Sequence, residues 1–312
     1  MKRYTRFFKI LVINVFLFLL LFLCLEIFYA YKWGIRLDNI EQYFLSVFKP
    51  ISAEKYFEAL YKGNHPDNTF SYLFRPDVNV ASQKRPIVVM GCSFAWGERL
   101  EENETLSYLL AEQTKRPVYN RSGRGWGLAQ LLFQLKEGFL FNQIKNEPEA
   151  IVYVFIKEQI NRIDKFKIEP LCSDLQPKYK YTDGQLIKES PKFLDTSVTV
   201  QNYMYYYNYI FNNVSSEEIK QYFIESKKEM NKKWANTKFI IVLFPTCNED
   251  FTLLNDNIWN ELQQSGFIVL NANKISGLNL EESKYKIPVD DFHPTKEVWE
   301  KFVPNFLKEM NL

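Results

Sequence analysis

Pro86-Ile87-Val88-Val89-Met90-Gly91-Cys92-Ser93-Phe94-Ala95-Trp96-Gly97 is the stretch that decides the fold. From Pro86 to Met90 it is continuously apolar, and it stops on a glycine. A half-exposed strand alternates apolar and polar residues. An uninterrupted run reads instead as a strand buried on both faces that enters a tight turn. The same signature returns at Pro117-Val118-Tyr119-Asn120, from Ala150 to Ile156, from Phe239 to Phe244 and from Phe267 to Leu270. Helical spacing fills the intervals. It is carried by Leu106, Leu109 and Leu110, and by Leu128, Leu131, Leu132 and Leu135. Ile219, Phe223, Ser226 and Met230 continue it behind the capping box Ser215-x-x-Glu218. Ile258 to Gln264 and a last segment from about Thr295, after Pro294, complete the set. Buried strands alternating with amphipathic helices predict an α/β fold with a parallel sheet covered on both faces. In such sheets the reactive groups gather at the carboxyl ends of the strands.

Two regions break this rhythm. Residues 32–85 read as a stalk and N-terminal extension, with a helical pattern around Ile40 to Leu60 and a turn at Asn64-His65-Pro66-Asp67-Asn68. Residues from about 165 to 200 read as an insertion into a domain spanning 86–312. A hairpin is expected in it, over Lys178 to Ile187 around Asp183-Gly184. The dense aromatic cluster from Tyr203 to Phe211 reads as packing of a lid or long helix, or as the border of a sugar-binding site.

The N-terminus obeys different rules. Ile10 to Leu25 is apolar apart from Asn14, and after Glu26 the run resumes through Tyr31. Residues 10–31 at the helical rise reach about 33 Å, enough to cross a hydrocarbon core of about 30 Å. Tyr29, Tyr31 and Trp33 fit an aromatic belt at the far interface. Lys2, Arg3, Arg6 and Lys9 precede the run with no acid among them. The expectation is a cytoplasmic tail at 1–9, a single transmembrane anchor at 10–31 and an extracytoplasmic domain. No A-x-A-like site follows, so an uncleaved anchor is preferred to a signal peptide.

The 312 residues suffice for one ordinary domain plus these extras, and 46% hydrophobic with 24% charged residues reads as a folded chain. A net charge of +2 offers no electrostatic footprint for nucleic acid. Cys24, Cys92, Cys172 and Cys247 match no zinc spacing, and with two histidines no metal site or cofactor is expected. Free thiols are the preferred reading; a bridge between Cys172 and Cys247 is the alternative in an oxidising compartment.

Three short motifs carry chemistry. Gly91-Cys92-Ser93 places a serine at a strand-to-helix turn, where backbone N–H groups face a developing oxyanion. Ala95 stands where the nucleophile elbow of α/β-hydrolases has glycine, which disfavours that fold. Asp290-Asp291-Phe292-His293-Pro294 lets one loop supply a base, His293, and a carboxylate to orient it, Asp290 by preference or Asp291. Asn120-Arg121-Ser122-Gly123-Arg124-Gly125-Trp126-Gly127 follows the second strand, and its three glycines imply close backbone approach or positive φ. It has no G-K-[ST] and is not a phosphate loop.

In this order, serine turn, glycine-rich turn and D-x-x-H, the chain resembles the SGNH/GDSL hydrolase family, over roughly residues 86–310. The stretch from Gly91-Cys92-Ser93 through Glu102-Asn103-Glu104-Thr105 to Asn120 and Gly125-Trp126-Gly127 looks like one of its membrane-anchored, envelope-associated branches. The resemblance implies a three-layer α/β/α, flavodoxin-like domain with a central parallel sheet of about five strands. It implies Ser93 as nucleophile, His293 as base, Asp290 as its partner, and the N–H groups of Ser93 and Gly125 in the oxyanion hole. Two departures are visible. Cys92 stands where members often carry aspartate. Where the third block usually ends on asparagine, the chain reads Lys157-Glu158-Gln159-Ile160-Asn161-Arg162. Gln159 is the preferred third donor, with Asn161 and Arg162 as alternatives, and Arg162 and Trp126 are candidates for substrate binding. The implied activity is hydrolysis of acyl esters, O-acetyl by preference, on an envelope polysaccharide. Transfer of an acyl group to such a polymer, with a polytopic acyltransferase as partner, is the close alternative. A lipid ester substrate and a non-catalytic polysaccharide- or partner-binding module are the others.

Overall fold

The computed structural model describes residues 2–32, 75, 77–163, 177–189, 214–245, 257–288 and 293–312. The chain forms two compact units, one of residues 1–52, 166–175 and 190–212, the other of 53–165, 176–189 and 213–312. The patterns expected at 40–60, 64–68 and 203–211, together with Cys172 and Cys247, lie outside the described residues.

The described part of the first unit is α1 (Lys2–Lys32), an unbroken helix. From Ile10 to Leu25 its apolar side chains stand exposed on every face, Leu17 at 53% and Phe18 at 66% among them. Among the described residues no helix is long and apolar enough to cross a membrane.

The second unit is built on a five-stranded parallel sheet of β1 (Ile87–Gly91), β2 (Val118–Asn120), β3 (Ala150–Phe155), β6 (Lys238–Leu243) and β7 (Ile268–Asn271). Its helices are α2 (Ser93–Trp96), α3 (Leu106–Thr114), α4 (Leu128–Lys136), α5 (Phe139–Gln143), α6 (Glu158–Asn161), α7 (Ser216–Asn231), α8 (Asn257–Gln264), α9 (Ala272–Ser276) and α10 (Lys296–Met310). The strand order is β2-β1-β3-β6-β7. From β1 the chain moves outward to β2, crosses back to β3 and builds the other half of the sheet. The direction of winding therefore reverses between β1 and β3, where Gly91 lies beside Val154. Such a switch point opens a crevice at the carboxyl ends of the two strands.

Every residue of β1 and β3 is buried, as continuous apolar runs predict. Residues facing opposite ways along each strand feed two cores. On one side Val89, Val152, Val154, Ile240 and Val242 join Trp299, Phe302 and Phe306 of α10 and Leu106, Leu109 and Leu110 of α3. On the other, Tyr153 and Phe155 meet Phe223 of α7, Phe155 also meets Trp259 of α8, and Phe239 meets Phe267. The layering is α/β/α, as expected. Thr105 and Ser215 cap α3 and α7 by accepting from Tyr108 N and Glu218 N.

The expected hairpin is present as β4 (Lys178–Thr182) and β5 (Gln185–Glu189). Asp183 and Gly184 both have positive φ, 51° and 76°, the conformation of a two-residue primed turn. Tyr179 and Leu186 are buried, and Tyr179 meets the Tyr222 ring of α7 edge-on. Before residue 86 the chain already joins the sheet: Val78 and Val118 exchange backbone bonds of 3.1 Å in both directions at the β2 edge.

Candidate active site

Gly91 ends β1 with φ +143°. A Cβ there would stand 2.7 Å from the Val154 carbonyl oxygen and 3.0 Å from Ala95 Cβ. Only glycine lets the chain turn this closely against β3 and enter α2. Cys92 is the N-cap and Ser93 the first helical residue, 7% exposed. At that position a backbone N–H has no intrahelical acceptor. The other end of α2 is held by Arg75, whose guanidinium lies 4.3 Å from the Trp96 ring centroid. It donates to the carbonyls of Trp96 (3.2 Å), Gly97 (2.6 Å) and Leu100 (2.8 Å). These include carbonyls that the short helix leaves unpaired.

His293 comes from the opposite end of the unit's sequence, and its Nε2 lies 2.7 Å from Ser93 Oγ. Its backbone is fixed by a bridge between Lys286 and Pro294. Ile287 N donates to His293 O at 2.9 Å, and Thr295 N to Tyr285 O at 3.0 Å. Its ring lies 5.0 Å from Phe94, which leads through Phe244 to Trp299 at 5.4 and 5.3 Å. The imidazole is thus seated on the aromatic core of α10, facing the turn that carries Ser93. Asp290 and Asp291 lie outside the described residues.

The glycine-rich turn continues beside β1 past its end, with Arg121 N bonded to Val89 O at 2.8 Å and Gly123 N to Gly91 O at 3.3 Å. Asn120 is fully buried. Its amide donates to Ala95 O at 3.0 Å and accepts from Ser122 N at 3.1 Å, so it ties the turn to α2. Gly125 has φ 71°. A Cβ on Gly123 would fall 2.2 Å from the Trp126 ring, so the indole folds onto its own turn and is only 7% exposed.

After β3, Gln159 is fully buried with its amide engaged at both ends. Nε2 donates to Val154 O at 3.0 Å, and Oε1 accepts from Tyr153 Oη at 2.7 Å. Any bond from Gln159 to an oxyanion therefore falls to its second N–H. Burial pushes the Tyr153 hydroxyl well above the ordinary tyrosine range, the Cys92 sulfur adds to this, and Arg162 opposes it. Arg162 Nη1 donates to Trp126 O at 3.0 Å, and its Cβ packs against the space Gly127 leaves open. Arg162 and Trp126 are bonded to each other and shape the wall of the glycine-rich turn.

Among the described residues no cluster of histidine, cysteine or acidic side chains could hold a metal ion. A cavity of about 420 Å³ lined by Phe141, Asn142, Glu147 and Trp234, among others, contains none of these residues.

No protein-family model matches the chain, and no curated protein matches it in sequence. In fold it is similar to a G-D-S-L family protein from Desulfitobacterium hafniense, with 11% identity, 72% of this chain and 99% of that one covered, and a TM-score of 0.45. It is also similar to a carbohydrate esterase family 2 enzyme from Corynascus thermopiles (12%, 74% and 67% covered, TM-score 0.46). A salicylyl-acyltransferase from a tetracycline biosynthetic pathway gives 12% identity, 74% and 56% covered, and a TM-score of 0.44.

Four parts of the site were not assigned from sequence: Arg75 on α2, the bridging amide of Asn120, a pair between Asp77 and Arg121, and a pair between Glu98 and Arg124. The first two satisfy backbone groups through tertiary contacts. No local pattern announces such partnerships. Asn120 alone had a signal, as a polar residue ending a buried strand.

Proposed function

We propose that the chain is a serine esterase that works through an acyl-serine intermediate on Ser93, held at a membrane by α1. The observation that carries the reading is the 2.7 Å contact between Ser93 Oγ and His293 Nε2 at the switch point of a parallel sheet. In this mechanism His293 takes the proton as Ser93 Oγ attacks the ester carbonyl carbon. The carbonyl oxygen becomes an oxyanion, which the N–H groups of Ser93 and Gly125 stabilise, joined by the second amide N–H of Gln159. As the tetrahedral intermediate collapses, the C–O bond to the alcohol breaks and His293 returns the proton to the departing oxygen. Water, activated by His293, then attacks the acyl-enzyme and frees Ser93 and the acid. Asp290, by the D-x-x-H spacing, supplies the carboxylate that orients the imidazole.

The substrate in this reading is an acyl ester, O-acetyl by preference, on a cell-envelope polysaccharide. The basic N-terminal tail and the all-round apolar helix support an anchor with the catalytic unit on the extracytoplasmic side. Trp126 and Arg162 border the substrate's path beside Gly125. The same acyl-enzyme intercepted by a sugar hydroxyl gives acyl transfer, with a polytopic acyltransferase as the source of acyl groups.

The test is fluorophosphonate labelling of the full chain in detergent micelles, with the adduct located by mass spectrometry. Labelling at Ser93 that vanishes in Ser93→Ala and His293→Ala supports the reading. A folded wild type that takes up no label supports a polysaccharide- or partner-binding module instead.

A further inference from the structure

We propose that the ion pair between Glu98 and Arg124 is a positioning device that sets the distance between the two backbone oxyanion donors. The inference rests on the reading of Ser93 as nucleophile. Ser93 and Gly125 stand on separate connections, one leaving β1 and the other leaving β2, which the bond from Gly123 N to Gly91 O joins at their base. Glu98 N donates to the Ser93 carbonyl at 3.0 Å, so Glu98 is fixed to the nucleophile's own residue. Its carboxylate is 11% exposed, with Oε2 buried, and that oxygen lies 2.5 Å from Arg124 Nε. Arg124 directly precedes Gly125, and the peptide joining them carries the Gly125 N–H. Gly125 has φ 71°, a conformation that glycine adopts without strain. A continuous set of links therefore runs from the Ser93 carbonyl through Glu98 and Arg124 to the second donor. Asn120 ties the same two turns from the buried side.

The pair has an electrostatic consequence as well. A carboxylate close to a site of developing negative charge opposes it unless a cation compensates. Loss of Arg124 both removes this link to the peptide and takes the compensating cation from Glu98. Loss of the Glu98 charge only removes the link. The two removals are unequal, and the double removal resembles the milder one.

The experiment measures fluorophosphonate labelling of Ser93 in the full chain in detergent, read as the saturating rate and the half-saturating concentration. Arg124→Gln lowers the saturating rate about 10- to 100-fold, as misplacement of a donor does, with little change in the half-saturating concentration. Glu98→Gln costs about 3- to 10-fold, the double variant matches Glu98→Gln, and Arg124→Lys recovers part of the loss. Thermal midpoints of Glu98→Gln, Arg124→Lys and the double variant stay near wild type, whereas Arg124→Gln, which leaves the nearly buried Glu98 carboxylate without its cation, lowers the midpoint, so rates are compared per folded molecule. Wild-type rates in both single variants, or losses that simply multiply in the double variant, overturn the proposal while Ser93 remains labelled. Absence of label from the wild-type serine overturns the underlying reading instead.

Discussion

The side-chain amide of Asn120 donates to the main-chain carbonyl of Ala95, 3.0 Å away, so the end of β2 grips the helix that begins at Ser93. The same amide accepts from Ser122 N and is fully buried. Asn120→Ala leaves a buried carbonyl and a buried N–H without partners, each costing about 1–3 kcal/mol. The expected outcome is a lower urea midpoint together with a loss of Ser93 labelling rate larger than the loss of folded protein explains. Wild-type labelling per folded molecule in Asn120→Ala would show that the bond serves stability alone.

Gly91 is the second constraint on the nucleophile. At φ +143° an alanine is strained, and its methyl carbon would overlap the Val154 carbonyl oxygen at 2.7 Å. Gly91→Ala is expected to lose about 3 kcal/mol or more, because backbone strain and overpacking fall on one residue. Chemical denaturation measures this. A stability equal to wild type would mean that β1 and β3 separate without cost at this point.

The reach of the sequence follows from the physics of each element. The parallel strands were legible because burial on both faces requires uninterrupted apolar runs, as in Ile87–Met90 and Ala150–Phe155. The long helices α4 and α7 were legible because they repeat their apolar face over several turns. The short helices α5, α6 and α9 were not, since four or five residues hold too little periodicity to detect. At the site, Ser93 and Gly125 were marked by local turn chemistry. The approach of His293, 200 residues away, was inferred from a D-x-x-H motif and a family resemblance. Asp77 read as part of an extension because its partner, Arg121, is 44 residues downstream. No local pattern reveals that the Trp126 ring closes over Gly123.

Tyr153 gives the site's strand end a pH dependence. Its hydroxyl donates to Gln159 and, being buried, holds its proton well above the ordinary range. The unfolded chain releases that proton near pH 10, while the folded chain retains it. Above this pH the unfolded state binds fewer protons, so stability falls as pH rises; below it the contribution is fully present. Urea denaturation at pH 9 and 11 is expected to show a fall that Tyr153→Phe reduces. The same variant loses about 1–3 kcal/mol at neutral pH by orphaning Gln159 Oε1. An unchanged alkaline fall in Tyr153→Phe would assign it to other groups, Tyr222 foremost, whose hydroxyl is also pushed up by burial.

Residues upstream of the first strand are bonded into the folded unit, as the Val78–Val118 bridge shows. Asp77 receives two bonds from the Arg121 guanidinium, at 2.6 and 2.9 Å, and the Arg121 side chain is only 5% exposed. Arg121 opens the glycine-rich turn, so a residue upstream of the first strand secures the base of the proposed oxyanion loop. Asp77→Ala strands a buried cation. A fully buried pair broken this way costs about 3–5 kcal/mol, and the partial exposure of Asp77 lowers the expected loss to about 1–3 kcal/mol. Replacing Arg121 by methionine in the same chain removes the stranded charge and is expected to recover part of the loss. A fragment starting at residue 75 should therefore be more stable to urea than one starting at residue 86, which also lacks Arg75 on α2 and the Val78–Val118 bridge. Equal midpoints for the two fragments would show that residues 75–85 only lie against the domain.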